Sequence, residues 1–211
     1  MRKSFNQPKV DEFEDYLREV FQQLARFKRF PKYQLERRVD GFIGVFLIDI
    51  LKATWDWDTK IVAPEFPIKK EGNNQSINVD YLLYRKQNAS AQAAWLFVEL
   101  KTDTGSFDER QYGAYKRAQI DGMVKLREGL NDIFSKTRDK NKYKILFKKL
   151  KSFNLDRRIE LVYLVPSDTK MPNPTEDLRI LTFKQISRKQ MKRYPKAWCA
   201  FRNLVVRSID P

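Results

Sequence analysis

Apolar residues recur at helical spacing through the first part of the chain, then switch to alternation. Phe13, Leu17, Val20, Phe21 and Leu24 fall three or four residues apart with charges between them, predicting an amphipathic helix over 11–30 that Pro31 ends. A second stripe, Leu35, Val39, Ile43, Phe46, Leu47, Ile50 and Leu51, predicts a helix over 32–54 with Glu36 and Asp40 one turn apart on its flank. Past Trp55-Asp56-Trp57-Asp58 the period falls to two, and strands are predicted over 61–69, 77–85 and 93–101. Pro64 and Pro67 suit an edge strand or a bulge. Short polar connections make the three strands an antiparallel meander. Ser106 and Glu109 fit a capping box that opens a helix running to about residue 130. A basic segment follows, then a strongly apolar strand over 159–165 of the kind buried on both faces. A short strand over 178–183 and a basic tail over 184–209, helical from 187 to 206, complete the pattern.

This order predicts an α/β fold: a central mixed sheet of about five strands, the three-strand antiparallel meander first, flanked by helices. At 211 residues the expectation is one domain, able to bury a core without disulfide or metal staples. The first helix and the basic tail are then additions to a core over about 32–165.

Composition narrows the chemistry. The chain has no histidine, which excludes Ser-His-Asp and Cys-His mechanisms, histidine-ligated zinc and imidazole general bases. Its one cysteine, Cys199, closes no intrachain disulfide and builds no thiolate metal site. The start lacks the apolar stretch of a secretory signal, and the longest apolar run, 41–51, is broken by Asp49 and too short to span a bilayer. A cytoplasmic protein without membrane contact is the expectation, and any chemistry must run on carboxylates and lysines.

In the third predicted strand, Trp95-Leu96-Phe97-Val98-Glu99-Leu100-Lys101-Thr102, alternate residues share a face, so Glu99 and Lys101 point together at its end. In the strand before it Asp80 is the lone charge among apolar neighbours, and hairpin pairing brings it across from Glu99. Two carboxylates at close range repel unless a cation lies between them. With oxygen ligands only, that cation is hard: Mg²⁺, with Mn²⁺ or Ca²⁺ as substitutes. Lys101 beside it would orient a water and offset charge on a phosphorane-like transition state. The competing reading is a Glu99–Lys101 salt bridge on a solvated sheet face, worth ~0–1 kcal/mol, with Asp80 a solubility residue.

Asp80, followed nineteen residues later by Glu99-Leu100-Lys101, resembles the PD-(D/E)XK motif of nucleases with a restriction-endonuclease-like fold. That family's core, a helix, a three-strand meander, a helix and a further strand, is similar to the order read here over about 32–165. Glu36 lies on the helix before the meander, where many members carry an acid, although Arg37 and Arg38 give it ordinary partners. Gln111-Tyr112-Gly113-Ala114-Tyr115 resembles the Gln-x-x-x-Tyr element of RecB-like exonuclease branches, although both are also ordinary helix residues. The chain departs from the family at Val79, which precedes Asp80 in place of proline. The resemblance implies that Asp80, Glu99 and the Leu100 backbone carbonyl coordinate Mg²⁺, that Lys101 activates a water, and that Glu36 supports a second ion or its water shell. It further implies that Gln111 orients Lys101 or the water, and that Tyr115 touches or underlies the scissile phosphate.

Lys and Arg total 42 against 27 Asp and Glu, a formal charge of +15. The segment 136–151 holds eight basic residues against one acid, and 184–207 holds eight more with none. Aromatics lie among them, at Tyr143, Phe147, Tyr194 and Trp198. Two such runs suit a phosphate backbone, giving affinity without sequence choice. The expectation is a Mg²⁺-dependent nuclease acting on DNA. The alternative is a catalytically inactive nuclease-fold module that binds nucleic acid or a partner. Endo- versus exonuclease action and a homodimer both stay open.

Overall fold

A computed structural model describes residues 12–27, 30, 34–70, 72 and 75–210. The alternating segment forms β1 (Thr59–Lys69), β2 (Ser76–Arg85) and β3 (Ala94–Leu100), paired antiparallel. β4 (Ile159–Val165) and β5 (Leu178–Thr182) then add in parallel beside β3, giving one mixed sheet in the order β1-β2-β3-β4-β5. β3 and β4 are buried along their whole length, which is why apolar residues dominate both, with one buried glutamate in each, Glu99 and Glu160.

Helices cover both faces, and alternate strand residues meet different layers. Leu96, Val98, Leu100, Val162 and Leu164 pack with α1 (Glu12–Phe27), α2 (Leu35–Trp55) and the residues that follow β5. Trp95, Phe97, Leu161 and Tyr163 pack with α3 (Glu109–Lys136) and α4 (Lys140–Leu150). Among the described residues no helix is long and apolar enough to cross a membrane.

Several expectations need correction. The helix-opening cap is Asp108, whose carboxylate accepts from the Arg110 and Gln111 amides at 2.8 and 3.1 Å. The chain is still turning at Ser106, whose hydroxyl and amide both bond the Asp103 carbonyl. An aspartate at the cap also complements the helix dipole. α3 runs past residue 130 to Lys136 but is interrupted at Gly122, whose φ of 73° and ψ of 166° no helix tolerates. The basic segment after it holds α4, whose apolar positions Tyr143, Leu146, Phe147 and Leu150 are masked in sequence by the lysines between them.

The tail is not one helix. Thr182 and Gln185 form a capping box that opens α5 (Phe183–Ser187), and the chain is then irregular until left-handed Tyr194 and Pro195 start α6 (Pro195–Leu204). A π-helical turn, Val205–Ile209, follows. At the start, α1 is described only as Glu12–Phe27, and Pro31, Lys32 and Tyr33 lie outside the described residues. β1 is an edge strand with a bulge between Ile61 and Ala63, as its prolines suggest.

Two contacts set the geometry around the sheet. Arg85 and Glu160 form a buried bidentate pair at 2.7 and 2.6 Å, with the guanidinium stacked 4.3 Å over Trp57. α2 approaches β2 at Gly44, where the Tyr81 hydroxyl bonds the Asp40 carbonyl at 2.8 Å and also meets the Asp40 carboxylate. A β-carbon at Gly44 would lie 2.7 Å from that hydroxyl. Gly44→Ala is therefore expected to cost about 1–3 kcal/mol by prising Tyr81 from Asp40. Urea unfolding measures it, and an unchanged midpoint contradicts this packing.

Candidate active site

The β2–β3 ladder ends at Tyr81–Val98, one residue short of Asp80 and Glu99. Beyond it the Leu100 amide donates to the Asp80 carboxylate at 2.7 Å instead of to a backbone carbonyl. A residue's N–H and C=O project to the same side of a strand, so the Leu100 carbonyl also turns toward β2. The end of β3 stays tied to β4 through the Lys101 amide and the Leu164 carbonyl, 2.9 Å apart. The sheet is thus split on one side only, with Asp80 at the mouth of the split.

Glu99 and Lys101 share a face, as alternation requires, and the Lys101 ammonium lies 2.8 Å from Glu99 Oε1. Gln111 clamps the pair: its carbonyl accepts from Lys101 at 3.1 Å and its amide donates to Glu99 Oε1 at 2.8 Å. That amide also reaches the Tyr115 hydroxyl at 2.7 Å, one helical turn on. The hydroxyl in turn lies 2.8 Å from Glu99 Oε2 and 2.9 Å from the Asn78 carbonyl. Both Glu99 oxygens are engaged, and Glu99, Lys101 and Tyr115 are only 2%, 6% and 0% exposed. The Asp108 cap fixes the turn that carries Gln111.

Charge at the site is unbalanced. Burial pushes the Asp80 carboxyl up to about 8; Glu99 and Glu36 add to this, while the Leu100 amide and Lys101 oppose it. Glu36 sits in the first turn of α2, makes no hydrogen bond to the cluster, and feels it through space. Its carboxyl is raised by burial, lowered by Lys101, and raised again by Glu99, Asp103 and Asp40. Burial pulls the Lys101 ammonium down, but Glu99, Glu36 and Asp80 outweigh it, and its pKa ends above the ordinary lysine value. Lys101 therefore holds its proton at neutral pH and acts as a donor and a positive charge, not as a base. Burial and Glu99 together raise the Tyr115 phenol, which stays neutral.

The structure joins Glu99, Lys101, Gln111 and Tyr115 by hydrogen bonds, ties Asp80 to the Leu100 amide beside them, and leaves Glu36 within electrostatic range. Asp80, Glu99 and the Leu100 carbonyl offer oxygen donors for a cation at the split. Among the described residues no group of three or more acidic or thiol side chains is arranged as a ready metal cage. Two contributors escaped the sequence reading. Asp108 was hidden by Ser106, two residues earlier, which also caps helices well. Tyr163 stands beside Glu99 in the β3–β4 register, with a buried hydroxyl that has no hydrogen-bond partner among the described residues. Its position inside an apolar strand was its only sequence signal. Comparison with protein-family models, curated proteins and solved structures finds no match to this chain.

The raised Asp80 carboxyl has a consequence for stability. Its pKa is 3.8 in ordinary surroundings and about 8 here, so between those values the folded chain holds a proton that the unfolded chain has released. Stability without divalent cations is expected to fall as pH rises through that window, and Glu36 contributes in the same direction. Asp80→Asn should flatten the slope. Urea midpoints in EDTA across the window test this, and an identical slope in Asp80→Asn refutes it.

Proposed function

We propose that this chain is a metal-dependent nuclease that hydrolyses phosphodiester bonds, most readily in DNA. The observation that carries the reading is the buried Glu99–Lys101 pair, clamped by Gln111 and Tyr115 next to Asp80 where the sheet splits. A purely structural ion pair needs no second and third carboxylate, Asp80 and Glu36, beside it. The resemblance of Asp80 and Glu99-Leu100-Lys101 to the PD-(D/E)XK motif supports the same reading, as does a helix–meander–helix–strand order similar to the restriction-endonuclease-like core.

The donor set is all oxygen and its charge is in excess, which suits a hard divalent cation, Mg²⁺ with Mn²⁺ as its substitute. Asp80, Glu99 and the Leu100 carbonyl would hold that ion, with Glu36 supporting its water shell or a second ion. When bound, it lowers the pKa of a water and polarises a phosphoryl oxygen. Lys101, protonated, donates toward the attacking water and the charge growing on the phosphoryl group. Water oxygen bonds to phosphorus as the ester P–O bond breaks; the water gives up one proton to solvent and the departing oxygen takes one up, so the protons balance. Gln111 holds the Lys101 ammonium through its carbonyl and Glu99 through its amide. Tyr115, buried beneath, keeps Glu99 turned toward the split.

The basic segments 136–151 and 184–207 are proposed to hold the polyanion. They lie on opposite faces of the sheet, α4 beside α3 and the tail beside α1 and α2. Part of the tail's charge is already engaged: Arg193 bonds Asp49 at 2.8 Å, Lys189 bonds the Ala53 carbonyl at 3.2 Å, and Lys196 pairs with Glu14 at 3.6 Å.

Supercoiled, linear and single-stranded DNA assayed with Mg²⁺, Mn²⁺ or EDTA provide the test. Cleavage is expected with either metal and none in EDTA. Asp80→Asn and Lys101→Ala should each lower kcat by about 100-fold or more while leaving oligonucleotide affinity largely intact. Full activity in either variant overturns the assignment.

A further inference from the structure

Beside the site, and sharing Gln111 with it, lies a cleft of about 670 Å³. One wall is the outer end of the β1–β2 hairpin, carrying Lys69 and Lys70, and the other is the first turns of α3, carrying Arg110 and Arg117. The break in α3 at Gly122 turns the helix so that Leu126 closes the far end. The Arg117 guanidinium lies back along the helix, 3.7 Å from where a β-carbon on Gly113 would stand, on the side toward Gln111.

Charge in this cleft is available. Lys69 is answered by Asp132 at 2.5 Å, but among the described residues Lys70, Arg110 and Arg117 make no ion pair. The two acids in the walls are engaged elsewhere, Asp108 with the helix-opening amides and Asp121 with Lys125 at 2.6 Å. Three unanswered cations in a trough whose floor includes Ile68, Ile77 and Ala114 fit a polyanion that brings apolar surface with it. A volume of about 670 Å³ is that of a small-molecule site, on the order of 300–1,000 Å³, which favours the backbone of one strand over a whole duplex. Among the described residues no aromatic side chain lines the cleft, so its grip falls on phosphates and not on stacked bases.

We propose that this cleft seats the backbone of a single nucleic-acid strand and delivers it past Gln111 to Lys101. The proposal rests on the nuclease reading and deepens it: the strand reaches the site unpaired, and the residues that hold it lie outside both basic runs. The probe is a fluorescein-labelled oligothymidylate, with a blunt duplex of equal length for comparison. Both are read by anisotropy on the full chain in EDTA across a salt series.

Lys70→Glu combined with Arg117→Glu is expected to weaken oligothymidylate binding by about tenfold or more and to make its salt slope shallower by about 1.4, or about 0.7 per lost phosphate contact. The duplex should lose far less. Lys86→Glu combined with Lys60→Glu, two exposed charge reversals at the opposite end of the sheet, should leave oligothymidylate binding essentially unchanged and matches the double variant in net charge. Thermal melting of each variant confirms folding. Unweakened oligothymidylate binding in the double variant overturns the proposal, and so does an equal loss on the duplex. The two readings separate cleanly. A wild type that cuts nothing defeats the nuclease while a selective loss of oligothymidylate still supports the cleft, whereas a cleft variant that cuts and binds like wild type defeats the cleft alone.

Discussion

A strand buried along its whole length ends in a carboxylate and an ammonium, and much of the surrounding structure follows from that constraint. Burying an ion costs several kcal/mol unless it is paired and its remaining hydrogen-bonding capacity is met. Glu99 and Lys101 neutralise each other, Gln111 occupies both, and Tyr115 takes the second Glu99 oxygen. Each partner needs a support of its own, so Asp108 caps the turn bearing Gln111 and the Asn78 carbonyl anchors Tyr115. Arg85 and Glu160, at the other end of the sheet, show the contrast: two oxygens meet two nitrogens, and Arg158 brings a second cation to Glu160 at 2.9 Å. The Glu99 end differs by its surplus of carboxylates. Asp80 has one backbone amide and only a weak pull from Lys101, and burial raises its affinity for a proton.

Those parts of the fold whose local pattern and global environment agree were legible in the sequence. β4 read as a strongly apolar strand because helices cover both faces, and the meander read as alternation because its connections are short. The same regularity exposed the site: Asp80 and Glu99 stood out as charges among apolar neighbours, with Lys101 just past the end of β3. Legibility failed where two signals competed. Ser106 and Asp108 can both cap a helix, and only the path of the loop decides between them. In α4 the lysines hide a stripe that is plain once Leu150 is seen in the core. The unpartnered Tyr163 hydroxyl depends on how closely α3 packs, which no spacing encodes.

Positive charge is distributed differently from what its position along the chain suggests. The two basic runs are separated by the sheet, and the tail uses several cations to fasten itself to α1 and α2. Besides Lys101, the cations that share a cleft with Gln111 come instead from the β1–β2 hairpin and the start of α3, as scattered single residues. A bulk charge of +15 says that polyanions are attracted, whereas which cations lack an internal partner says where they settle.

The sheet's outer rim carries a further implication. β1 has prolines at positions 64 and 67, a bulge, and Glu65 in a left-handed conformation with φ of 49°, while β5 at the far rim spans only five residues. A strand so interrupted presents no regular row of amides and carbonyls for another strand to register against. The sheet is capped against lateral growth at its long edge and offers little template at its short one. Copies of this chain that meet in a crowded solution must recognise one another through side chains, because the backbone extends no invitation.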